Sequence, residues 1–483
     1  MQRQRILIVG GGFAGLACAR RLERRLRPDE AELTLVTPDS YQLYLPLLPQ
    51  VAAGVVTPQS VAVSLRRLLR RTRVLPGSAV GIDPEAKICV VRKITDEVAN
   101  EPYDLIVLTP GSVTRTFDIP GLAEQARGMK TLAEAAYVRD HVIAQLDLAS
   151  AATDPAERVS RLRFVVVGGG YAGTETAACL QRITSAAARR YPRLDPGLIQ
   201  WHLVDVADRL MPELGDRLGR RALEVLRGRG IDVSLGASVV RVDAETVTLT
   251  DGRELGCRTL IWTAGVAASP LVAGLGADTR AGRLAVTPEL TVPGLDGVFA
   301  LGDAAAVPDL SKPQADAICP PTAQHAGRQG KVAADNLVAT VRGYALTPYR
   351  HRDLGLVVDL GGADAVSKPL GIELSGAAAQ LVTQLPPDGP AHHGRPEPRA
   401  GELDPERDRR GRLRAHRIPG PADRHPAGLR AHRHLPVGRG GAHTSGRSGC
   451  TDRLLTGFGG RQGRSSGEDH PAVHPREDRP CRS

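Results

Sequence analysis

One short unit occurs twice in this chain, and it limits the fold more than any other feature. The apolar run RILIV (5–9) meets the glycines GGGFAG and continues into the amphipathic stretch LACARRLERRL, with a second apolar run, ELTLV, at 32–36. About 160 residues later RFVVVGGGYAGTETAACL (163–180) repeats the pattern, and WHLVD (201–205) follows it. Each copy reads as strand, tight turn, helix and next strand, a βαβ unit. A repeat this long is a pair of domains rather than a solenoid. In the first copy Gly10 permits the turn, Gly12 lets the backbone approach a pyrophosphate, and Gly15 lets helix and strand pack closely. Gly168, Gly170 and Gly173 have the same spacing in the second. The expected fold is α/β, with two Rossmann-like dinucleotide-binding domains.

The strand ends refine this expectation. Asp205 closes the second copy, where a carboxylate accepts hydrogen bonds from ribose hydroxyls and repels a 2′-phosphate, so NADH is expected over NADPH. Arg209 nearby argues the other way, because an arginine welcomes that phosphate. In the first copy the same position is Thr37, and the nearest carboxylate is Asp39, so either Asp39 or Thr37 with water could meet the ribose. Glu175 begins the second helix and has two readings: a carboxylate stabilised by the positive helix end, or a polar group facing a redox centre. Three more strands end in glycine turns. They are LIVLTPGS (105–112) with Thr109 and Gly111, TLIWTAGV (259–266) with Gly265, and GVFALGDAA (297–305) with Gly302 and Asp303, Thr291 lying upstream of the last. An aspartate there can hold a polyhydroxy chain. Pro320 and Pro321 precede a helical pattern at 323–341, AQHAGRQGKVAADNLVATV, whose positive N-terminus would favour negative charge on a neighbouring ring. Gln324 could offer an amide there, and His325 is either a proton donor or a helix-surface histidine.

Composition matters mainly for what it excludes. The net charge of +10 is unevenly placed: residues 385–483 hold 19 arginines, no lysine and 12 acidic residues, so the remainder is close to neutral. Nucleic-acid binding would rest on this tail, which lacks interleaved aromatics. Its Pro/Gly/Arg/His-rich composition cannot bury a core, and the segment is expected to be disordered. The same composition would arise from a GC-rich gene read out of frame. The seven cysteines are scattered without a CxxC pair, which supports neither a metal site nor a disulfide framework and suits a reducing compartment. No apolar run reaches the ~18 residues of a membrane span, and the first apolar stretch ends in glycines rather than a signal-peptidase site.

From Arg5 to about Gln384 these motifs together resemble the flavoproteins of the pyridine nucleotide–disulfide reductase superfamily, most of all the type II NADH dehydrogenases, single-subunit NADH:quinone oxidoreductases. The resemblance implies a glutathione-reductase-like arrangement. Residues 1–118 and 281–350 would form the FAD-binding domain, 119–280 the NADH-binding domain, and 351–384 what remains of a C-terminal domain. FAD would contact Gly10, Gly12, Gly15, Asp39, Thr109, Gly111, Gly302, Asp303 and Ala323. NADH would contact Gly168, Gly170, Gly173, Asp205 and Gly265. YLPLLPQVAAG (44–54) is similar to the family segment beside the isoalloxazine ring. The quinone motif is matched at Ala323, Gln324, Ala326 and Gly330, while its second glutamine falls at Arg328, with Gln329 next to it. Glu175, Gln324 and His325 would be the catalytic residues. Hydride would pass from NADH to flavin and two electrons on to a membrane quinone, without proton pumping, in a cytoplasmic enzyme peripheral to the inner face of the membrane; a homodimer is compatible. Where the disulfide enzymes of the superfamily carry two cysteines, TPDSYQLYLPLLPQ carries none. Other readings are a soluble NAD(P)H-dependent flavin reductase, a sulfide:quinone reductase, which needs reactive cysteines, and an inactive or redox-sensing flavoprotein.

Overall fold

The computed structural model describes residues 3–115, 117–314, 316–351 and 355–383. The tail at 385–483 lies outside them. Two parallel sheets dominate. In the first, Val298–Ala300, Leu105–Leu108, Gln4–Val9, Ala31–Thr37 and Arg73–Asp83 run parallel in that order. The second has Ala126–Gly128, Thr259–Trp262, Arg163–Val167, Gln200–Asp205 and Ile231–Leu235, again all parallel. Four of the five strands correspond in chain order, as a duplicated βαβ unit requires, while the edge strand comes last in the first set and first in the second. The strands are buried on both faces, which explains near-continuous apolar runs such as LIVL and RFVVV.

An antiparallel meander accompanies each sheet. The long strand Arg73–Asp83 turns back into Ile88–Lys93 and Val98–Pro102. In the second half Val239–Val242, Thr246–Leu249 and Glu254–Gly256 do the same. A two-stranded ribbon links the halves: Ser112–Thr114, leaving the first domain, pairs antiparallel with Val266–Ala268, returning from the second. The helix Phe13–Arg25 packs against Ala323–Arg342 so closely that a Cβ on Gly330 would come 2.3 Å from the Ala14 carbonyl oxygen, and Arg21 clamps Asp335 with two bonds of 2.7 Å.

The segment 44–54 belongs to the first half in sequence but not in packing. Its helix Leu48–Ala52 buries Leu48, Val51 and Ala52 in the core of the second domain, beside Val142, Leu146, Ala177 and Ala178. Val358, Leu360 and Val366 join that same core from a small antiparallel sheet, Val357–Asp359, Ala365–Ser367 and Leu374–Ser375. Three parts of the chain that are far apart in sequence therefore converge on one end of the second domain.

Candidate functional site

The two glycine loops have nearly the same geometry. Gly10 and Gly168 have φ of +103° and +113°, conformations open to glycine but strained for other residues. A Cβ on Gly15 would lie 1.9 Å from the Gly10 carbonyl oxygen, and one on Gly173 would lie 1.8 Å from that of Gly168. Gly12 and Gly170 are the N-caps of their helices, with no side chain bonded to the exposed N–H groups and open space where a Cβ would point. Each loop thus presents uncapped backbone donors at a helix N-terminus, the arrangement that receives a phosphate.

The strand-end residues divide as their chemistry directs. Asp205 accepts the Gly169 N–H at one oxygen and, at 2.6 Å, the Ala207 N–H at the other. Arg209 is ion-paired to Asp208 and Asp216. In the first loop the matching residue is the buried Thr37, whose Oγ1 would lie 2.9 Å from a Cβ on Gly11. Asp39 lies two residues further on, exposed, with no hydrogen bond to the loop among the described residues. The geometry brings Thr37, not Asp39, to the loop.

Thr109 donates from Oγ1 to the carbonyls of Val9 (2.8 Å) and Gly10 (3.0 Å), locking the first loop. Thr263 does the same for Val167 and Gly168, at 2.7 and 3.2 Å. The turns continue into Gly111 and Gly265, with φ of +72° and +80°. Sequence reasoning missed Thr263, although its place in TLIWTAG mirrors Thr109 in LIVLTPG. Next to the first turn, Ser112 donates to Asp303 Oδ2 at 2.6 Å and the Lys130 ammonium donates to Ser112 at 2.7 Å. Burial lowers the Lys130 pKa, and the Asp303 and Glu134 charges oppose that shift. Arg283 also faces Asp303, and its Nε is buried without a partner.

The helix Ala323–Arg342 begins at Thr322, whose hydroxyl accepts the His325 N–H; Pro320 and Pro321 stay outside the helix. The reading of His325 as a helix-surface histidine is corrected here. The residue is buried, its Nδ1 lies 3.0 Å from the Tyr349 hydroxyl, and its ring stacks on His351 at 3.7 Å between centroids. Gln324 donates an amide N–H to the Gly355 carbonyl at 2.9 Å. Arg328, in place of the expected glutamine, approaches His351 Nδ1 at 3.3 Å. Its neighbour Gln329 is buried and accepts the Gly302 N–H at 2.8 Å, tying the helix to the Gly302–Asp303 turn.

Glu175 sits at the junction of the three convergent segments. Its carboxyl is enclosed by protein, though part of the residue reaches the surface, and burial raises its pKa to about 8. The Asp359 N–H donates to Glu175 Oε1 at 2.9 Å and opposes the shift, while the Asp359 charge adds to it. Gln50 donates from Nε2 to Asp359 Oδ2 at 3.3 Å, and its own Oε1 is buried without a donor. Neither Gln50 nor Asp359 stood out in the sequence.

The pyridine nucleotide-disulphide oxidoreductase family model matches residues 4–330. Two type II NADH:quinone oxidoreductases of Mycobacterium tuberculosis, Ndh and NdhA, are 31% and 33% identical to this chain; each match covers 79% of this chain and 83% or 82% of the relative. The chain belongs to the pyridine nucleotide-disulphide oxidoreductases and, within them, to the type II NADH:quinone oxidoreductases. Among solved structures, NDH2 of Plasmodium falciparum in complex with NADH superposes with a TM-score of 0.72 at 19% identity, covering 79% of this chain and 94% of that one. The sulfide:quinone oxidoreductase of Aquifex aeolicus superposes at 0.61 with 19% identity, covering 78% and 88%. Both confirm the expected fold.

Membership in the type II group agrees with the cysteines. All five described, Cys18, Cys89, Cys179, Cys257 and Cys319, are buried and unpaired, and burial pushes each thiol upward in pKa, Cys319 to about 12. Thiols held protonated in this way are poor nucleophiles, against what a sulfide:quinone reductase needs. No metal-ligand cluster occurs among the described residues, and no described helix is long and apolar enough to cross a membrane.

Proposed function

We propose that this chain oxidises NADH and reduces a quinone, with FAD held in the first domain and NADH in the second. The observation that carries the reading is the doubled cradle: two uncapped glycine loops, each locked by a threonine, whose exit strands are hydrogen-bonded to each other. The residues present fit both dinucleotides. Open space at Gly12 and Gly170 admits a pyrophosphate, while the orphaned Arg283 Nε and Gln50 Oε1 are buried polar atoms that await partners. Bound FAD would supply the two-electron relay between NADH and quinone. Gly10, Gly12, Gly15 and Gly111 would hold it with Thr109, Asp303 would take its ribityl hydroxyls, and the start of the helix at Ala323 would favour negative charge on it. Gly168, Gly170, Gly173 and Gly265 would hold NADH, with Asp205 on the adenosine ribose. The two ion pairs that occupy Arg209 support NADH over NADPH. Glu175, neutral near pH 7 because of its burial, is suited to give a proton to the quinone side. Gln324 and His325 would flank the acceptor at the helix start, His325 from a buried position. As the likeness to the type II enzymes implies, the reaction would not pump protons, and contact with membrane quinone would be peripheral, at the cytoplasmic face.

The purified protein should carry a flavin spectrum that bleaches with NADH under anaerobic conditions and recovers with a short-chain quinone. A colourless protein that takes up no FAD would refute the reading. A protein that bleaches but prefers another acceptor to quinone would favour the flavin-reductase reading instead.

A further inference from the structure

The overall reaction, NADH + H⁺ + quinone → NAD⁺ + quinol, draws one proton from outside the two substrates. The hydride carries two electrons and one hydrogen nucleus, so the second proton comes from solvent, and a protein group beside the acceptor can relay it. We propose that Asp359, brought in by the C-terminal sheet, is the positioning residue for this step: it holds Glu175 in its proton-bearing form, and Gln50 holds Asp359 from the opposite side. This rests on the role of Glu175 proposed above.

The geometry is built from three segments. Asp359 presents its backbone N–H to Glu175 Oε1 at 2.9 Å, so the two acidic residues are adjacent. Its side-chain oxygens are held by two donors, one accepting the Gly361 N–H at 2.7 Å and the other the Gln50 amide at 3.3 Å. The turn that follows is pinned to the second domain. Arg229 donates to the carbonyl oxygens of Leu360 and Gly361 and pairs with Asp364. The Arg182 guanidinium lies over the turn so closely that a Cβ on Gly362 would come 1.8 Å from its Nη1.

The charged and titratable groups facing this pocket come from every element around it. Asp359 comes from the C-terminal sheet, Cys179 and Arg182 from one and two turns further along the helix of Glu175, and Arg229 from the end of the helix Asp216–Gly228. Arg229 is bonded to the 360–364 turn and Arg182 lies against it, while Asp359 is the charged group that acts on the Glu175 carboxyl. A single N–H then favours the Glu175 carboxylate, while burial and the Asp359 charge oppose it. In the step itself the Glu175 O–H bond breaks as a quinol O–H bond forms. The resulting carboxylate faces a like charge, and it regains a proton from water.

The test uses the FAD-loaded Asp359→Asn variant. Its quinone reduction should lose the alkaline limb about one pH unit earlier than wild type, roughly a fivefold lower rate near pH 8 and approaching tenfold about a unit higher. Turnover with ferricyanide, which takes electrons without protons, should stay unchanged. Infrared spectroscopy of the flavin-free protein gives a readout apart from activity: the protonated-carboxyl band that Glu175→Gln abolishes should titrate at lower pH in Asp359→Asn and keep its wild-type midpoint in Asp359→Glu. Gln50→Leu, which leaves the C-terminal strands untouched, should move the midpoint in the same direction and serves if Asp359→Asn folds poorly. Slower quinone reduction with an unmoved carboxyl band would overturn the proposal, because Asp359 would then act only as scaffold. A wild-type protein that reduces ferricyanide but no quinone would instead refute the quinone reading, while the band would still decide the role of Asp359.

Discussion

At the residue scale, glycines of one motif differ in what they do, and substitution separates them. Gly15→Ala forces a Cβ to within 1.9 Å of a backbone oxygen, so the variant should lose several kcal/mol of stability or fail to fold, as read by thermal denaturation. Gly12→Ala meets nothing within 4 Å and should fold normally, yet bind FAD weakly because the methyl group occupies the ligand's approach. Glu175 makes a pH prediction. Its folded pKa of about 8 lies above the ordinary carboxyl value, so the stability linked to its bound proton is full below about pH 4.5 and is lost as pH rises through 8. Between those limits wild type should lose stability relative to Glu175→Gln, and melting curves across that range measure the widening gap. The glycine positions were legible in the sequence because backbone conformation alone demands them. Thr263 was legible in principle, by comparing the two halves. Gln50 and Asp359 were not, because Gln50 meets Asp359, and Asp359 meets Glu175, only after 309- and 184-residue separations are closed by folding. The burial of His325 was not legible because its partner Tyr349 lies 24 residues away in the chain.

At the element scale, caps and turns decide where the reactive ends of helices point. The helix Ala323–Arg342 starts at Thr322 because that hydroxyl satisfies an orphan N–H. Thr322→Val should cost about 1 kcal/mol, seen as a lower melting temperature. It should also weaken quinone reduction if the first turn frays. Both βαβ units, the helix at 323–341 and the strands at 105–108, 259–262 and 298–300 could be read directly, since apolar runs bounded by glycine are strong signals. The two meanders were harder to see. Strands such as VANEP and ELG are short, partly exposed and polar, so no periodicity marks them, and only pairing with a long neighbour makes them strands. The proline-leucine segment was recognised, but not its destination: its apolar face belongs to the other domain's core.

For the molecule as a whole, the C-terminal sheet depends on a few arginine contacts and a shared core. Arg229→Ala removes bonds to Leu360, Gly361 and Asp364 at once. Hydrogen exchange in 355–383 should then accelerate while the central strands Gln4–Val9 and Arg163–Val167 keep their protection. Quinone turnover should fall further than NADH-to-ferricyanide turnover. The exit strands carry another consequence. Ser112–Thr114 and Val266–Ala268 satisfy each other's backbone, so neither domain owns a finished border there. Expressed alone, either half would bare a raw β-edge and tend to clump. Mixed together, the severed pieces should re-mate through that seam.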